Sequence, residues 1–378
     1  MLHSVDSAQQ SPKSLAETTG FRIIKPDEQK IAVLLNRNAR QVTDDIVKRV
    51  ERIVGRDHVY YSHSLEEAEA FAREIVQKGY GTIVSGGGDG TLCQAINMIH
   101  RYIDESNRWR AERAERFGEE QALIGTPRFA FLRLGTGNGI GSVVGAQNAL
   151  RDLKNLVDYL PGRTHELPLV EVEGEKCFFA GIGFDSLMLN DYNQLKEKTN
   201  NRFLKPILHS VIGYLVTLFT RTLPKALLGQ ASINVRVTSR GRAYYVDPRR
   251  GDAAIEVEPD TTLYEGPAMF VGIGSSPFYG AGFKIFPFAS MMPGMMQLRI
   301  GRINPLVGVL NIIGLWRGHY RNPGVIIDYL VDDIHVELAE PFPFQHSGEA
   351  LGLRQNINFK VADEGLKLVD FLPPRIMG

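Results

Sequence analysis

A run of glycines at residues 86–91 constrains the fold of this chain more than any other feature. The six residues read GGGDGT, and they lie between a short β-branched run at 82–84 and a helical pattern that begins near Leu92. Glycines remove side chains, so backbone N–H groups can converge on an anion. The positive end of the following helix points to the same place, where Asp89 adds a carboxylate. This order favours a nucleotide phosphate site over a plain tight turn.

Two further buried-type strands end in polar or glycine-rich residues. Residues 129–132 lead into LGTGN at 134–138, and residues 31–35 lead into Asn36. Residues 64–78 carry apolar side chains at helical spacing, which makes the order of elements β-α-β. In an open α/β sheet, the carboxyl ends of neighbouring strands line one ligand-binding crevice. The sequence therefore predicts a doubly wound α/β domain with a ligand at this edge.

The second half of the chain has a different pattern, of short strand-like runs separated by turn residues. It predicts an antiparallel β domain interrupted by helical segments at 190–221 and 304–317. The predicted strands are 167–172, 177–180, 231–237, 268–273, 295–300, 334–338 and 357–361. We assign residues 1–29 to a mobile tail, 30–162 to a nucleotide-binding domain and 163–378 to a β-rich substrate domain.

Composition excludes several classes of function. A length of 378 residues exceeds the usual size of a single core, which agrees with two domains. The net charge of zero gives no electrostatic reason to expect nucleic acid as a partner, or strong attraction of the whole chain to anionic lipid. Cys93 and Cys177 lack metal-ligand spacing, and we interpret them as free thiols in a reducing cytoplasm.

Two other stretches are interpreted from their length and charge. The apolar runs at 207–219 and 303–315 fall short of the roughly 20 residues that a transmembrane helix needs, so no membrane span is predicted. The N-terminus lacks the pattern of a signal peptide. The mixed-charge segment 101–120 is expected to be a solvated helix extension and loop.

The ordered motifs resemble the diacylglycerol kinase catalytic-domain family. This family includes bacterial lipid kinases, sphingosine kinases and ceramide kinase, with NAD kinases and 6-phosphofructokinases as more distant relatives. The matching motifs are GGGDGT at 86–91, LGTGN at 134–138, GIGFD at 181–185, YGAGFKIFPFAS at 279–290, WRGHYRNPGV at 316–325 and the GE within HSGEAL at 346–351. The resemblance implies a NAD-kinase/diacylglycerol-kinase-like doubly wound N-terminal domain and an antiparallel β-sandwich-like C-terminal domain. It also implies an active site in the cleft between them, and last strands that return to the first domain.

The resemblance further implies a kinase that uses ATP and Mg²⁺. The expected nucleotide-binding residues are Asn36, Ser62, Gly86, Gly87, Gly88, Asp89, Gly90, Thr91, Gly135, Thr136, Gly137 and Asn138. Asp89 is also expected to contact Mg²⁺, directly or through water. For Asn36 and Ser62, a role as a turn cap is an equal alternative.

The acceptor side departs from the family pattern. Ser347 stands where the family carries the aspartate of its DGE motif, which implies the loss of the usual general base. Asp89 is the first substitute, Glu349 acting through a water the second and His346 the third. The resemblance places Asp185 at the lipid headgroup, and a turn aspartate is the alternative. The apolar stripe at 203–223 is interpreted either as core packing or as a gate for the acyl chain at the membrane.

Together these residues predict transfer of the γ-phosphoryl group of ATP to a diacylglycerol- or sphingoid-like hydroxyl. We expect a cytoplasmic enzyme with peripheral contact to the inner face of a membrane, and a homodimer is left open. One alternative is a catalytically weakened relative that binds nucleotide or lipid as a sensor or partner, because Ser347, Gly139 and Pro293 all stand at acidic positions of the family. The other alternative is a kinase of a soluble hydroxyl acceptor.

Overall fold

The protein divides into two compact units. A computed structural model describes residues 12–118, 122–135, 138–198, 211–250, 252–279, 283–320 and 322–371. What we call the N-terminal unit comprises Met1–Leu169, Gly174–Lys176 and Ala362–Gly378, and what we call the β-rich unit comprises Val170–Glu173 and Cys177–Val361.

A six-stranded sheet forms the centre of the N-terminal unit. In spatial order its strands are Val59–Ser62, Asp27–Asn36, Tyr80–Gly87, Arg128–Arg133, Leu366–Val369 and Thr164–Leu167. The first five run parallel, and the last is antiparallel to its neighbour. Every residue of Tyr80–Gly87 is buried, which is typical of a central parallel strand covered on both faces. The predicted parallel α/β architecture is confirmed.

Helices cover this sheet, and their starts follow from the sequence. The side chain of Ser64 caps Leu65–Gln77 by accepting the N–H of Glu67, and Thr43 caps Asp44–Val54 in the same way. The remaining helices that connect these strands are the short 3₁₀ turn Arg56–His58, Asp89–Phe117, Gly139–Val143 and Ala149–Asp158. Buried Val33, Leu35 and Leu156 belong to a single core cluster beneath them.

Residues 12–29, assigned from the sequence to a tail, contain regular structure. Pro12–Thr19 is a helix, and Arg22–Ile24 pairs in parallel with Ala122–Ile124. Asn107 holds the second of these strands, because its side chain accepts the Ile124 N–H at 2.7 Å and donates to the Ile124 carbonyl at 2.9 Å. Asn107 lies in the charged segment 101–117, which is the second half of the long helix Asp89–Phe117. Gly118 is the C-cap of this helix.

Antiparallel strands build the β-rich unit, as predicted. In spatial order they are Ala253–Val257, Ala243–Asp247, Ile326–Val331, Met296–Gly301, Phe270–Gly274, Phe179–Gly183, Asp333–His346, Glu349–Val361 and Val170–Val172. Ile233–Ser239 branches from this path by pairing with both Asp333–His346 and Thr262–Ala268, so the strands form one connected sheet. The short strand Glu175–Cys177 lies at the boundary of the two units in the chain.

Two helical regions interrupt the β-rich unit where the sequence predicts them. The first consists of Phe184–Lys198, Val211–Thr217, the π-helix Leu218–Thr222 and Leu223–Leu227. The second consists of Pro305–Leu310 and Ile312–Trp316, and a 3₁₀ turn at Pro248–Arg250 lies between the two regions. Part of the apolar stripe at 203–223 lies outside the described residues. Within them, we find no helix with both the length and the apolar composition that crossing a bilayer requires.

Candidate functional site

The two glycine motifs of the N-terminal unit lie directly against each other. Their strands are neighbours, with Gly87 opposite Arg133 in the register, and the Leu134 N–H donates to the Gly87 carbonyl at 3.1 Å. A Cβ atom on Gly135 would overlap the backbone of Gly88, so only glycine permits this approach. Packing therefore requires at least one glycine of the second motif, before any ligand is considered.

The first motif passes from strand to helix at Gly88. This residue occupies the N-cap of Asp89–Phe117 without a side-chain cap, and the Leu92 N–H donates to the Gly88 carbonyl at 3.1 Å. The N–H groups of Asp89, Gly90 and Thr91 therefore have no partner within the helix. Unsatisfied N–H groups at the positive end of a long helix suit the binding of a phosphate.

Asp89 is buried at this helix start and is held by backbone donors. Its Oδ2 accepts the Gly139 N–H at 2.8 Å, and its Oδ1 accepts the Ile140 N–H at 3.1 Å. Burial raises the pKa of Asp89, while these two N–H groups and the nearby Arg133 act to lower it. The carboxylate thus ties the start of Gly139–Val143 to the start of the long helix.

The donor chemistry at Asp89 fits a magnesium ion that is bound mainly by other ligands. In the described ranges, no three His, Cys, Asp or Glu side chains are grouped to hold a metal. Mg²⁺ usually keeps several waters and takes one or two carboxylates together with substrate phosphates. Because both Asp89 oxygens already accept an N–H, each has one lone-pair direction left for such an ion or its waters.

Asn36 and Ser62 lie side by side at the same edge of the sheet, paired in the register. Asn36 Oδ1 accepts the Asn38 N–H at 2.8 Å, which closes a turn. The buried Ser62 hydroxyl donates to the Leu35 carbonyl at 3.2 Å. Asn36 thus makes a local bond of the kind expected for a turn cap, whereas the bond of Ser62 crosses to the neighbouring strand Asp27–Asn36.

Asn138 has an acceptor that remains unused within the described part of the chain. Its Nδ2 donates to the Gly135 carbonyl at 2.9 Å, while its buried Oδ1 has no hydrogen-bond partner there. A buried amide oxygen without a donor is costly, which favours a bound group that supplies one. Thr136 and Gly137, predicted to bind the nucleotide with it, lie outside the described residues.

In the β-rich unit, Asp185 forms a side-chain cluster with Tyr279 and Gln345, which we call the acceptor cluster after its predicted role. Its Oδ2 accepts the Tyr279 hydroxyl and, at 3.0 Å, the Gln345 Nε2–H. Its Oδ1 is buried and has no partner among the described residues. Burial raises the pKa of Asp185, whereas the donors Tyr279 and Gln345 act to lower it. Gly181 leaves the space for this carboxylate, since a Cβ there would overlap Asp185 Oδ2.

Ser347 forms the turn of the hairpin that joins Asp333–His346 to Glu349–Val361. Ser347 and Gly348 have φ values of +46° and +85°, the left-handed pair of a two-residue hairpin turn. The Ser347 N–H donates to the Phe179 carbonyl at 2.9 Å, and its Oγ accepts the Phe178 N–H at 3.4 Å. The backbone and the side chain of Ser347 therefore both bond the turn to the neighbouring residues Phe178 and Phe179.

Glu349 and His346 lie opposite each other, one on each side of this turn. Glu349 is partly exposed and His346 is buried. Both belong to the β-rich unit, whereas Asp89 belongs to the N-terminal unit.

Sequence reasoning missed the two partners of Asp185. Tyr279 was recognised only as the first residue of the motif at 279–290, and Gln345 was not singled out. Tyr279 is partly buried and packs against Phe179, with ring centroids 4.3 Å apart. Gln345 also accepts the Gly348 N–H at 3.1 Å, which links the acid to the turn. The sequence offered one signal for Gln345: it lies two residues before Ser347, the position where the family motif is altered.

Comparison with known proteins shows what this fold and these motifs are similar to. Residues 30–172 match the model of the diacylglycerol kinase catalytic domain.

Individual relatives are distant. The chain is 24% identical to Probable lipid kinase YegS of Escherichia fergusonii over 319 residues, 84% of this chain and 86% of that protein. A protein of the same name from Shigella flexneri is 23% identical over the same length. A solved diacylglycerol kinase from Bacillus anthracis str. Sterne superimposes with a TM-score of 0.57 at 15% identity, covering 90% of this chain and 97% of that one. At this identity the solved structure shows the fold alone.

Proposed function

We propose that the protein is an ATP-dependent lipid kinase that transfers the γ-phosphoryl group to the hydroxyl of a diacylglycerol- or sphingoid-like lipid. The observation that carries the proposal is Asp89, a buried carboxylate at the start of a long helix where two glycine motifs meet. The match of residues 30–172 to the diacylglycerol kinase catalytic domain and the names of the relatives support the reaction class.

The N-terminal unit supplies what phosphoryl transfer asks of a donor site. The reaction needs the phosphates held, their charge neutralised and the acceptor hydroxyl relieved of its proton. The N–H groups of residues 89–91, which have no partner within the helix, hold a phosphate, and the Asn138 amide oxygen receives a donor from the nucleotide. Mg²⁺ bound with ATP neutralises the phosphate charge, with Asp89 as its contact in this chain.

Asp89 is also our first choice for the general base. Because burial raises its pKa, the carboxylate holds a proton more readily than an exposed aspartate does. Glu349 and then His346 are the second and third choices. Residue 347 is a serine and supplies no carboxylate, and its Oγ accepts a hydrogen bond from the Phe178 N–H.

The β-rich unit supplies a binding site for a polar headgroup. The Asp185 Oδ1, which has no partner among the described residues, accepts a hydroxyl or ammonium of the lipid, while Tyr279 and Gln345 fix the orientation of the acid. We place the reaction in the cytoplasm, at the inner face of a membrane, with no nucleic acid as a partner.

The test is transfer of labelled γ-phosphate from ATP and Mg²⁺ into an organic-extractable product. Diacylglycerol, sphingosine, ceramide and a total lipid extract serve as acceptors, and Asp89→Asn is the matched variant of nearly equal shape. We expect labelled lipid from the wild type and a loss of about 10²-fold or more in the variant.

A second function is favoured by the bonded state of the Ser347 hydroxyl: a weakened relative that binds nucleotide or lipid without efficient turnover. Calorimetric ATP binding with no labelled product from any lipid would replace our proposal with this one. Label that stays in the aqueous phase when soluble alcohols are supplied would point to a soluble acceptor.

A further inference from the structure

An exposed apolar surface lies on the helices of the β-rich unit. Pro305–Leu310 and Ile312–Trp316 consist wholly of apolar residues, yet neither contains a buried one. Leu223–Leu227 contacts Pro305–Leu310 and ends beside another exposed residue, Leu228. We call residues 215–228 and 305–316 together the docking face.

The exposed apolar residues of this face are too many and too close together to be the isolated apolar residues of an ordinary protein surface. Leu310 is 84% exposed, Leu228 77% and Ile313 62%, and Phe219 and Trp316 are about half exposed. A helix that is apolar all round is normally buried. Contiguous exposed apolar patches of this kind mark a surface that another body covers.

The charged residues in and next to the segments of the docking face are all basic. In residues 211–230 and 301–320 the sequence contains Arg221, Lys225, Arg302 and Arg317, and no aspartate or glutamate. The chain as a whole has 43 basic and 43 acidic residues, so this stretch departs from the average. Lys225 pairs with Asp191, while Arg302 and Arg317 are exposed.

Apolar side chains with a basic border fit the surface of an anionic bilayer. Leucine, isoleucine and tryptophan enter the boundary between headgroups and acyl chains, and arginines attract anionic headgroups. A second copy of this chain is a poorer occupant, because a two-fold contact sets the same arginines against each other. The helices are too short to span a bilayer and would lie along its surface.

The docking face is joined to the acceptor residues by backbone bonds. The Lys284 N–H donates to the Trp316 carbonyl at 2.9 Å, and the Phe283 ring lies 6.4 Å from the Trp316 ring. The Tyr279 N–H donates to the Phe283 carbonyl at 2.8 Å, and Tyr279 in turn binds Asp185. A lipid layer on the docking face would thus be near the elements that carry the acceptor cluster.

We propose that the docking face binds the surface of an anionic phospholipid bilayer and brings the β-rich unit to lipids held there. The choice of a membrane as partner rests on the proposed lipid kinase function, whereas its test needs neither ATP nor catalysis.

The experiment is flotation of the full chain with vesicles of phosphatidylcholine mixed with phosphatidylglycerol, and with vesicles of phosphatidylcholine alone. We expect the wild type to float with the anionic vesicles. Leu310→Glu combined with Ile313→Glu should lower the partition by about 10-fold or more, because two apolar side chains lose their burial. Arg317→Glu should lower it by about 10-fold for the anionic vesicles only.

Leu353→Glu is the matched control, since Leu353 is 60% exposed on the strand Glu349–Val361 and outside the docking face. It should float like the wild type, and circular dichroism should show all variants folded. An equal loss with Leu353→Glu, an unchanged double variant, or a wild type that stays with neither vesicle would overturn the proposal. So would light scattering that shows a wild-type dimer and a monomeric double variant, because a second copy would then be the occupant.

Labelled transfer to an acceptor dissolved in detergent micelles separates this proposal from the proposed function. The double variant should retain that activity while it loses flotation. Flotation that depends on the docking face, in a wild type without kinase activity, would support the docking face and remove the kinase proposal. Kinase activity in a wild type that does not float would support the kinase proposal and remove the docking face.

Discussion

The donor residues of the N-terminal unit and the acceptor cluster of the β-rich unit are built in different ways. At the donor end, glycine backbones pack against one another and the Asp89 carboxylate has a backbone donor on each oxygen. At the acceptor end, three side chains from separate segments converge, and one Asp185 oxygen has no partner within the described residues. A site made from closely packed glycine backbones tolerates few substitutions. In a side-chain cluster, one residue can be replaced without moving the backbone of the others.

The largest effect in this comparison is expected from Gly135→Ala. The new Cβ would overlap Gly88 backbone atoms, which cannot rotate away as a side chain can. We expect a loss of about 3 kcal/mol in the free energy of unfolding, at the upper end of overpacking effects, together with weaker ATP binding. Denaturant unfolding and calorimetry measure the two quantities.

Gly301→Ala is the control for this change, since its Cβ would lie 3.6 Å from the nearest atom, an ordinary contact. It should leave ATP binding unchanged. Normal ATP affinity and stability in Gly135→Ala would show that the two motifs do not need their close approach.

Ser347→Asp sharpens the comparison by altering the acceptor end alone. Aspartate tolerates the left-handed backbone of this turn and brings a carboxylate where the Oγ now accepts the Phe178 N–H. If the missing base limits the reaction, the rate of lipid phosphorylation should rise by about 10²-fold.

Ser347→Asn separates the base from the turn, because asparagine has nearly the same shape and also tolerates this backbone. Its rate should match the wild type in the same labelled-transfer assay. An equal gain in both variants would assign the effect to the turn geometry, and no gain in either would favour Asp89 as the base.

Tyr279→Phe tests how strongly the cluster holds Asp185 in its ionised form. The Tyr279 hydroxyl lowers a pKa that burial raises, so its removal should raise the pKa of Asp185 further. Asp185 then ionises only at higher pH. If the ionised form binds the acceptor, the lipid KM should increase by about 10-fold at neutral pH and decrease as the pH rises.

The KM for ATP should not change in Tyr279→Phe, because Asp89 belongs to the other unit. Tyr245→Phe, at a partly buried tyrosine of the same sheet, should leave both KM values and the pH profile as they are. A pH profile of the lipid KM that stays the same in Tyr279→Phe would remove Asp185 from acceptor binding.

Motifs that act through the backbone could be predicted from the sequence, because glycine spacing carries their geometry. The strands Tyr80–Gly87 and Arg128–Arg133 lie where the pattern places them, and the long helix begins at Asp89, three residues before the predicted start near Leu92. The fold class is confirmed for the same reason, since buried parallel strands leave continuous apolar runs in the sequence.

Elements with mixed exposure could not be predicted in the same way. Ala253–Val257 is an edge strand with no buried residue, so it lacks the alternation that marks a strand. Asp333–His346 was predicted only over 334–338, because prolines follow in the sequence. The structure accommodates them with register shifts, and the strand then continues to Gln345, the partner of Asp185 that was missed.

The smallest effect is expected from Ser62→Ala, which tests whether Ser62 contacts the nucleotide, as predicted, or serves only its bond to the neighbouring strand. The buried hydroxyl donates to the Leu35 carbonyl at 3.2 Å, so its loss should lower the free energy of unfolding by about 1 kcal/mol and leave ATP affinity unchanged. Ser64→Ala is the matched control: it removes the cap of Leu65–Gln77 at a similar cost in stability, at a position with no proposed nucleotide contact. Equal unfolding losses with equal ATP affinities would assign the Ser62 hydroxyl to its bond with the neighbouring strand. A lower ATP affinity in Ser62→Ala alone would return it to the nucleotide site and extend the donor end to the neighbouring strand.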